Sequence, residues 1–232
     1  MKAYRVHEYG DAAKLIEDEV NKPSAKQGHV VVKVKASSLN PIDHKLLKSD
    51  LGINPALPGI LHMDVAGVIT EVGEGVTAFK TGDEIYGCAG GLQGEAGNIE
   101  GALADFMLAD SNLIALKPKS LSFSESAALP LVTITAWEGL FDRAHIKKED
   151  HVLIHGGTGG VGHIAIQLAR QHGARVATTV SSEDKAKVAR GLGAEDIIFY
   201  RDEKVEDYTQ RLTKGKGFDV VFDTIGADNL DK

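Results

Sequence analysis

The feature that most constrains the fold is a glycine-rich turn between an apolar run and a helical pattern. The run His151–His155 has the length and composition of a short buried strand. Five glycines then fall between Gly156 and Gly162. Apolar residues recur at helical spacing from Val161 to His172, and a glycine follows. The sequence therefore predicts a strand, a tight turn and a helix, which together form the repeating unit of a parallel α/β sheet.

Strands and helices continue to alternate after this unit. We predict three further strands and two further helices, and we expect the first of these helices to close at Gly191 or Gly193. The strands cover residues 175–180, 196–200 and 218–223, and the helices cover 182–190 and 205–212. Such alternation predicts parallel strands joined by right-handed crossovers. Upstream, Ser124-Glu125-Ser126 is expected to open another helix.

The first half of the chain has a different pattern. Branched residues over 30–36 and 65–72 predict strands, and a further strand is expected over 84–87. Glycine turns between them indicate a small barrel or sandwich. Residues 87–101, with six glycines, are expected to form a surface loop. We place the boundary between the halves near Lys117-Pro118-Lys119-Ser120, which gives domains of residues 1–120 and 121–232.

The spacing Gly157-Thr158-Gly159-Gly160-Val161-Gly162 fits a dinucleotide-binding turn. Gly157 is expected to allow a sharp turn, Gly159 to let the backbone approach a pyrophosphate, and Gly162 to let the helix pack against the strand. The helix N-terminus would offer N–H groups to the phosphates. The alternative is a glycine-rich turn with no ligand.

The end of the second strand of this half bears on which dinucleotide binds. NAD sites usually carry an acid there, but the segment Thr178–Ser182 has none, and the first acids are Glu183 and Asp184. Ser181, Ser182 and Lys185 could instead donate to the 2′-phosphate of NADPH. In the alternative interpretation, Ser182 only caps a helix and Lys185 is solvated. The two interpretations are compatible.

Composition narrows the class of protein. The 232 residues carry a net charge of −7, which disfavours nucleic acid as a partner. Cys88 is the single cysteine, so a four-cysteine zinc lobe and an intrachain disulfide are both excluded. No window approaches the apolar length of a membrane span, and the first residues lack the apolar core of a signal peptide. We expect a cytoplasmic protein with no membrane partner.

Several motifs in order resemble the medium-chain dehydrogenase/reductase superfamily, and most of all its zinc-free quinone oxidoreductase branch. The likeness extends over nearly the whole chain. The motifs are Ser38-Leu39-Asn40-Pro41-Ile42-Asp43, Val72-Gly73-Glu74-Gly75-Val76, Gly82-Asp83, Leu129-Pro130, Thr135-Ala136-Trp137 and His155–Gly162 followed by Gln167-Leu168-Ala169.

The resemblance implies an α/β protein with a GroES-like β-barrel domain and a Rossmann-type parallel-sheet domain, with nicotinamide and substrate meeting between them. It also implies NADPH-dependent hydride transfer to a small quinone or α,β-unsaturated carbonyl. In the zinc alcohol dehydrogenases, zinc ligands occupy the places of Asn40 and Met63. Neither Asn nor Met is a credible zinc ligand here, so no zinc is expected.

Individual site residues carry over by position. Asn40 should line the substrate pocket and could polarise a carbonyl, while Asp43 lies nearby or braces the loop after its strand. Thr135 should border the nicotinamide, or its hydroxyl bonds a helix carbonyl. Tyr200 should lie beside the adenosine phosphate, or it is a tyrosine at the edge of the core. No motif encodes a proton donor, and His62 is expected to pack or to line the pocket.

The parallel sheet is expected to be incomplete. A full dinucleotide fold has six strands in the order 3-2-1-4-5-6, whereas four are predicted here. We therefore expect a C-terminally truncated chain whose fourth strand lies at the sheet edge, and a homodimer if the protein is full length. Two other functions stay open. One is an enoyl-thioester reductase, and the other is a non-catalytic dinucleotide-binding or structural protein.

Overall fold

The computed structural model describes residues 1–94 and 97–226. The chain divides into two compact units, Met1–Leu131 and Val132–Lys232. The predicted division at residue 120 stays a prediction. Among the described residues, no helix combines the length and the apolar character needed to cross a bilayer.

The first unit consists mostly of short antiparallel strands. They are β1 (Lys2–Val6), β2 (Leu15–Glu19), β3 (His29–Ser37), β4 (Gly59–Ile60), β5 (Asp64–Val72), β6 (Glu84–Cys88), β7 (Leu92–Gly94), β8 (Gly97–Ile99), β9 (Phe106–Asp110) and β10 (Ile114–Leu116). Three helices begin in this unit, α1 (Pro41–Lys48), α2 (Phe123–Ala127) and α3 (Pro130–Trp137), and a 3-10 turn covers Ser111–Leu113. The predicted strands over 30–36, 65–72 and 84–87 are confirmed as β3, β5 and β6.

The strands form one main sheet and two smaller ones. The main sheet has the order β10-β6-β5-β3-β9, the second has the order β2-β1-β4, and β7 and β8 form a hairpin. Branched side chains on β3 and β5 build the core because they pack well on a pleated surface. Val30, Val32, Val65, Ile69 and Ile85 are all at most 1% exposed.

The glycine-rich stretch 87–101 was wrongly expected to be a surface loop. Ala89 is only 1% exposed and belongs to the core, and the β7–β8 hairpin occupies part of the stretch. A Cβ on Gly101 would overlap the backbone carbonyl of Leu61. Glycine is needed there because two backbones approach closely, a use that composition cannot distinguish from a mobile loop. Residues 95 and 96 lie outside the described residues.

The second unit is a parallel sheet with helical crossovers, as predicted. Its strands are β11 (His151–His155), β12 (Arg175–Val180), β13 (Asp196–Phe199) and β14 (Val220–Asp223). They are ordered β13-β12-β11-β14, and every pairing is parallel. The remaining helices are α4 (Gly160–His172), α5 (Glu183–Leu192) and α6 (Val205–Thr213), and a π-helical segment covers Glu138–Arg143. The order 3-2-1-4 brings the carboxyl ends of β11 and β12 side by side.

Local capping chemistry explains where the helices begin and end. The helix expected to open at Ser124 opens earlier, because Ser122 and Glu125 form a reciprocal capping box. Gly173 and Gly193 end α4 and α5 with positive φ angles of 101° and 110°. Gly191, the other expected stop, lies inside α5.

Candidate functional site

The turn after β11 reverses direction at Gly156, where φ is +71°. Gly157 was wrongly expected to make this turn. A Cβ on Gly157 would overlap the Thr178 hydroxyl and lie 2.8 Å from Cδ1 of Ile166, so Gly157 is needed for packing. The turn is closed by the Gly159 N–H, which donates to the Gly156 carbonyl over 2.8 Å.

Gly159 and Gly162 differ in what surrounds them. Around a Cβ on Gly159, the single neighbour within 4 Å among the described residues is the Gly156 carbonyl oxygen, at 3.2 Å. A Cβ on Gly162 would overlap that same carbonyl and lie 2.9 Å from Cα of Gly157. Gly162 therefore lets α4 pack against the turn, as expected, whereas Gly159 leaves open space beside the backbone.

The N-terminus of α4 begins at this open space. Gly159 is its N-cap and supplies no side-chain cap. The helix runs for 13 residues, so its dipole is developed and its first N–H groups have no intrahelical acceptor. Open space, free N–H groups and a partial positive charge together suit a phosphate group.

Two threonines near the end of β12 hold the turn in place. Neither was predicted to contact the turn. Thr178 is fully buried, and its hydroxyl donates to the Ile154 carbonyl over 2.6 Å. The Gly156 N–H donates to the Thr179 hydroxyl over 3.0 Å. Because β11 and β12 pair in parallel, these side chains meet the turn directly. Two successive threonines near the end of the predicted strand 175–180 could have indicated these hydrogen bonds to the turn.

Beyond β12, the predicted anion-binding residues lie at the start of α5. The Ser182 hydroxyl accepts from the Lys185 N–H over 3.4 Å and caps the helix, so the capping interpretation of Ser182 holds. Ser181 is partly buried between Val180 and this cap. Within the described residues, the Lys185 side chain has no carboxylate in ion-pair contact.

The two acids beside Lys185 are engaged with other cations. Glu183 pairs with Arg190 at 2.8 Å, and Asp184 pairs with Lys187 at 3.4 Å. Their charge is thereby partly offset along α5. Neither acid is paired with Lys185 itself.

Tyr200 lies just past the end of β13 and is 53% exposed. Its N–H donates to the Val180 carbonyl over 3.4 Å, which places it next to the end of β12. The Arg201 guanidinium lies 5.6 Å from the centre of the Tyr200 ring. In the part of the chain that the structure covers, no carboxylate lies in ion-pair contact with Arg201. Arg201 was not among the predicted site residues, although it directly follows Tyr200 in the sequence.

Thr135 lies on α3 and is exposed. An open groove runs along α3 and the π-helical segment in the second unit. Its lining residues are Thr133, Ile134, Trp137, Glu138, Asp142 and Arg143. The Trp137 ring packs against Phe141 with centroids 4.5 Å apart.

In the first unit, Asn40 and Asp43 begin α1. Asn40 is 6% exposed, and its backbone N–H donates to the Asp43 carboxylate over 2.7 Å. Asp43 thus braces the entry to α1, as the alternative interpretation held. Among the described atoms, its other carboxylate oxygen is buried without a hydrogen-bond partner.

The side-chain amide of Asn40 is turned to other protein groups. Its Nδ2 donates to Asp64 over 2.9 Å and to the Ser38 hydroxyl over 3.2 Å. The two acceptors are themselves only 2.6 Å apart, so they lie on the same side of Nδ2, and one amide hydrogen can serve both. The amide is thus held by Ser38 and Asp64, and its expected role in polarising a substrate carbonyl stays a prediction.

Asp64 is the centre of this cluster and is fully buried. Besides Asn40, it accepts from the Ser38 hydroxyl over 2.6 Å and from the Leu131 N–H over 2.9 Å. Burial raises the pKa of Asp64, while these hydrogen bonds act in the opposite direction. Burial, with the charge of Asp64 as a second cause, raises the pKa of the Cys88 thiol to about 12. Cys88 is thus an unreactive thiol.

His62 lies beside the cluster with a positive φ of 72°. Its Nδ1 is 3.0 Å from the Ser37 hydroxyl, and burial lowers the pKa of His62, opposed by the charges of Asp43 and Asp64. Met63, at the place of a zinc ligand in the zinc enzymes, is 4% exposed and belongs to the core. Within residues 1–94 and 97–226, no three His, Cys, Asp or Glu side chains are grouped to hold a metal ion.

Comparisons with protein families match both halves of the chain. Residues 26–119 match the alcohol dehydrogenase GroES-like domain. Residues 160–232 match the zinc-binding dehydrogenase family. The fold class expected from the sequence, a GroES-like domain with a parallel-sheet domain, is confirmed.

The similarity to individual relatives extends over nearly the whole chain. A chloroplastic NADPH-dependent alkenal/one oxidoreductase of Arabidopsis thaliana is 37% identical over 97% of this chain, which covers 58% of the relative's length. A quinone oxidoreductase of Pongo abelii is 32% identical over 100% of this chain, covering 68% of that protein. The crystal structure of an alcohol dehydrogenase superfamily protein from Novosphingobium aromaticivorans superposes with a TM-score of 0.91 at 40% identity, over 100% of this chain and 68% of that one.

Proposed function

Because this chain belongs to the medium-chain dehydrogenase/reductase superfamily, in its quinone oxidoreductase branch, we propose that the protein reduces a small quinone or α,β-unsaturated carbonyl with NADPH and without zinc. The observation that carries the proposal is the open space beside Gly159 at the uncapped start of α4. The names of the relatives support the same chemistry, since one is an NADPH-dependent alkenal/one oxidoreductase and another a quinone oxidoreductase.

The residues of the turn fit the pyrophosphate of a dinucleotide. The proposed contacts are the backbone of Gly157, Thr158, Gly159, Gly160, Val161 and Gly162. A side chain at Gly159 would fill the space through which the phosphates approach. NADPH supplies the hydride when bound, and the role of the chain is to hold its phosphates and align its nicotinamide. Thr135 is proposed to border the nicotinamide.

The proposed preference for NADPH rests on the ends of β12 and β13. No acid follows β12 until Glu183, and both Glu183 and Asp184 are paired with cations of α5. Ser181, Ser182, Lys185 and Tyr200 are the proposed contacts of the adenosine side. Arg201 adds a second cation there, since its guanidinium lies over the Tyr200 ring.

On the substrate side, we propose that Asn40 and Asp43 line the pocket. Asn40 Nδ2 donates to Ser38 and Asp64, and in this proposal the amide held in that way polarises the substrate carbonyl. A quinone or enone suits such a site because the electrons added by the hydride spread into a conjugated system, and less Lewis-acid help is needed. The proton is proposed to come from solvent or a bound water.

The test is turnover of the complete protein with a panel of quinones, enones, enoyl-CoA thioesters and alcohols, each with NADPH and with NADH. We expect NADPH oxidation with quinones or enones. Preference for enoyl-CoA would instead support an enoyl-thioester reductase. NADPH binding without turnover of any acceptor would support a non-catalytic dinucleotide-binding protein. Added zinc and prior chelation should leave the rate unchanged.

The proposal also includes a cytoplasmic location, a homodimer, and no nucleic-acid or membrane partner. The net charge of −7 supports the absence of a nucleic-acid partner. Size-exclusion chromatography with light scattering tests the dimer, and fractionation of cells tests the location.

A further inference from the structure

Ser38, Asn40 and Asp64 form a closed ring of hydrogen bonds in the first unit. Asn40 Nδ2 donates to Ser38 Oγ over 3.2 Å and to Asp64 Oδ2 over 2.9 Å, and Ser38 Oγ donates to the same Asp64 oxygen over 2.6 Å. The serine has one hydrogen and gives it to Asp64, so it must accept from Asn40. The serine hydrogen therefore points to Asp64, and the Asn40 amide must present Nδ2 to both Ser38 and Asp64.

The ring determines which way the Asn40 amide faces. If the amide were turned over, its carbonyl oxygen would stand against the Asp64 carboxylate, and two acceptors would meet without a hydrogen between them. The buried carboxylate would then lose a hydrogen bond that water cannot replace, since Asp64 has no exposed surface.

Asp64 itself is held from a second direction. Its other oxygen, Oδ1, accepts from the Leu131 N–H over 2.9 Å. Two oxygens with separate donors prevent the carboxylate from rotating. Three chain segments, at Ser38–Asn40, Asp64 and Leu131, thus meet at one carboxylate.

We propose that Asp64 is a positioning residue that holds the Asn40 side chain in one orientation, with Nδ2 rather than Oδ1 facing the carboxylate. This inference rests on the proposed function, because Asn40 was assigned to the substrate pocket there. It adds that the role of Asn40 in the pocket depends on Asp64, because Asp64 determines which atoms of the amide face away from the carboxylate.

The chain offers a matched control for Asn40. Asn54 is also 6% exposed, and its Nδ2 donates to the Leu46 and Ser49 carbonyls over 2.8 and 3.0 Å. Asn54→Ala removes an equally buried amide whose Nδ2 bonds go to backbone carbonyls instead of Asp64, so it reports the general effect of such a loss on folding.

The first experiment is a double-mutant cycle in the complete protein, using kcat/KM with NADPH and a quinone. We expect Asp64→Asn to lower kcat/KM by about tenfold in the wild type and by less than about twofold in an Asn40→Ala background. In an Asn54→Ala background it should keep its full effect. An equal effect in all three backgrounds would overturn the proposal.

The second experiment needs no activity and therefore separates this proposal from the proposed function. The side-chain NH₂ signals of Asn40 and Asn54 are assigned by NMR from the two alanine variants. We expect solvent exchange at Asn40 to quicken by about tenfold or more in Asp64→Asn, with Asn54 unchanged. Ser38→Ala, which removes one branch of the ring, serves if Asp64→Asn does not fold. If solvent exchange at the Asn40 amide is unchanged in a folded variant, this proposal is overturned. That holds even if the protein reduces quinones with NADPH as the proposed function states.

Discussion

The Thr178 hydroxyl occupies the space that a Cβ on Gly157 would need. It stays there because it donates to the Ile154 carbonyl over 2.6 Å. The glycine and the threonine are 21 positions apart in the sequence, on different sides of the crossover helix α4. Each restricts which residue type can occupy the other position.

Gly157→Ala should destabilise the second unit. The new methyl group would force Thr178 to move and lose its hydrogen bond, which we expect to cost about 1–3 kcal/mol in the free energy of unfolding. Urea denaturation followed by circular dichroism measures this. Gly191→Ala is the matched control, because Gly191 lies within α5 and a Cβ there meets nothing within 4 Å. It should stabilise by about 0.5–1 kcal/mol, and equal losses in both variants would contradict this account.

Gly159→Ala should separate binding from stability. Its Cβ would meet the Gly156 carbonyl at 3.2 Å and otherwise stand in open space, so the midpoint of unfolding should change little. The affinity for NADPH should fall by about tenfold to a hundredfold, because the phosphates could no longer approach the backbone. Isothermal titration calorimetry measures the loss. Unchanged affinity would mean that the dinucleotide does not lie over this turn.

Lys185→Ala and Arg201→Ala should weaken NADPH binding more than NADH binding. Each removes a cation that has no carboxylate in contact within the described chain, and each should raise the Kd for NADPH by about tenfold. Lys187→Ala is the control on the same helix, since Lys187 is paired with Asp184 at 3.4 Å. Equal losses for both cofactors would argue against recognition of the 2′-phosphate by these residues.

Cys88 should resist alkylation in the folded protein. With a pKa of about 12, its thiolate is scarce at pH 8, and reaction with iodoacetamide should be about a thousandfold slower than in urea. Between pH 7 and 9 the rate should rise tenfold for each pH unit, without a plateau. Because Cys88 is the single cysteine, intact mass spectrometry reads the modification directly. A plateau below pH 9 would show that the thiol is more acidic than its burial implies.

Sequence patterns predicted the second unit closely because each of its strands and helices is indicated by residues that are close together in the sequence. The run His151–His155 matches β11 at both ends, and apolar spacing with a closing glycine defined α4. The finer assignment within the turn failed at Gly157. Neighbouring glycines are equivalent in a sequence, and the backbone angle at Gly156 depends on the three-dimensional path.

The substrate-side cluster was beyond sequence reasoning for a different reason. Ser38 and Asn40, Asp64, and Leu131 come from three separate segments, and the register of β3 against β5 brings the first two segments together. Position in the family indicated Asn40 but not the direction of its amide. That direction depends on the hydrogen of Ser38 and the burial of Asp64, and neither is a local property.

The two threonines that hold the glycine turn also affect how quickly a ligand is captured. A loop that must become ordered on binding loses conformational entropy and slows association. Here the Gly156 N–H is already bonded to Thr179, and Thr178 fastens β12 to β11. The turn proposed to bind the phosphates is therefore already ordered before a ligand arrives, so we expect little conformational entropy to be lost there on binding.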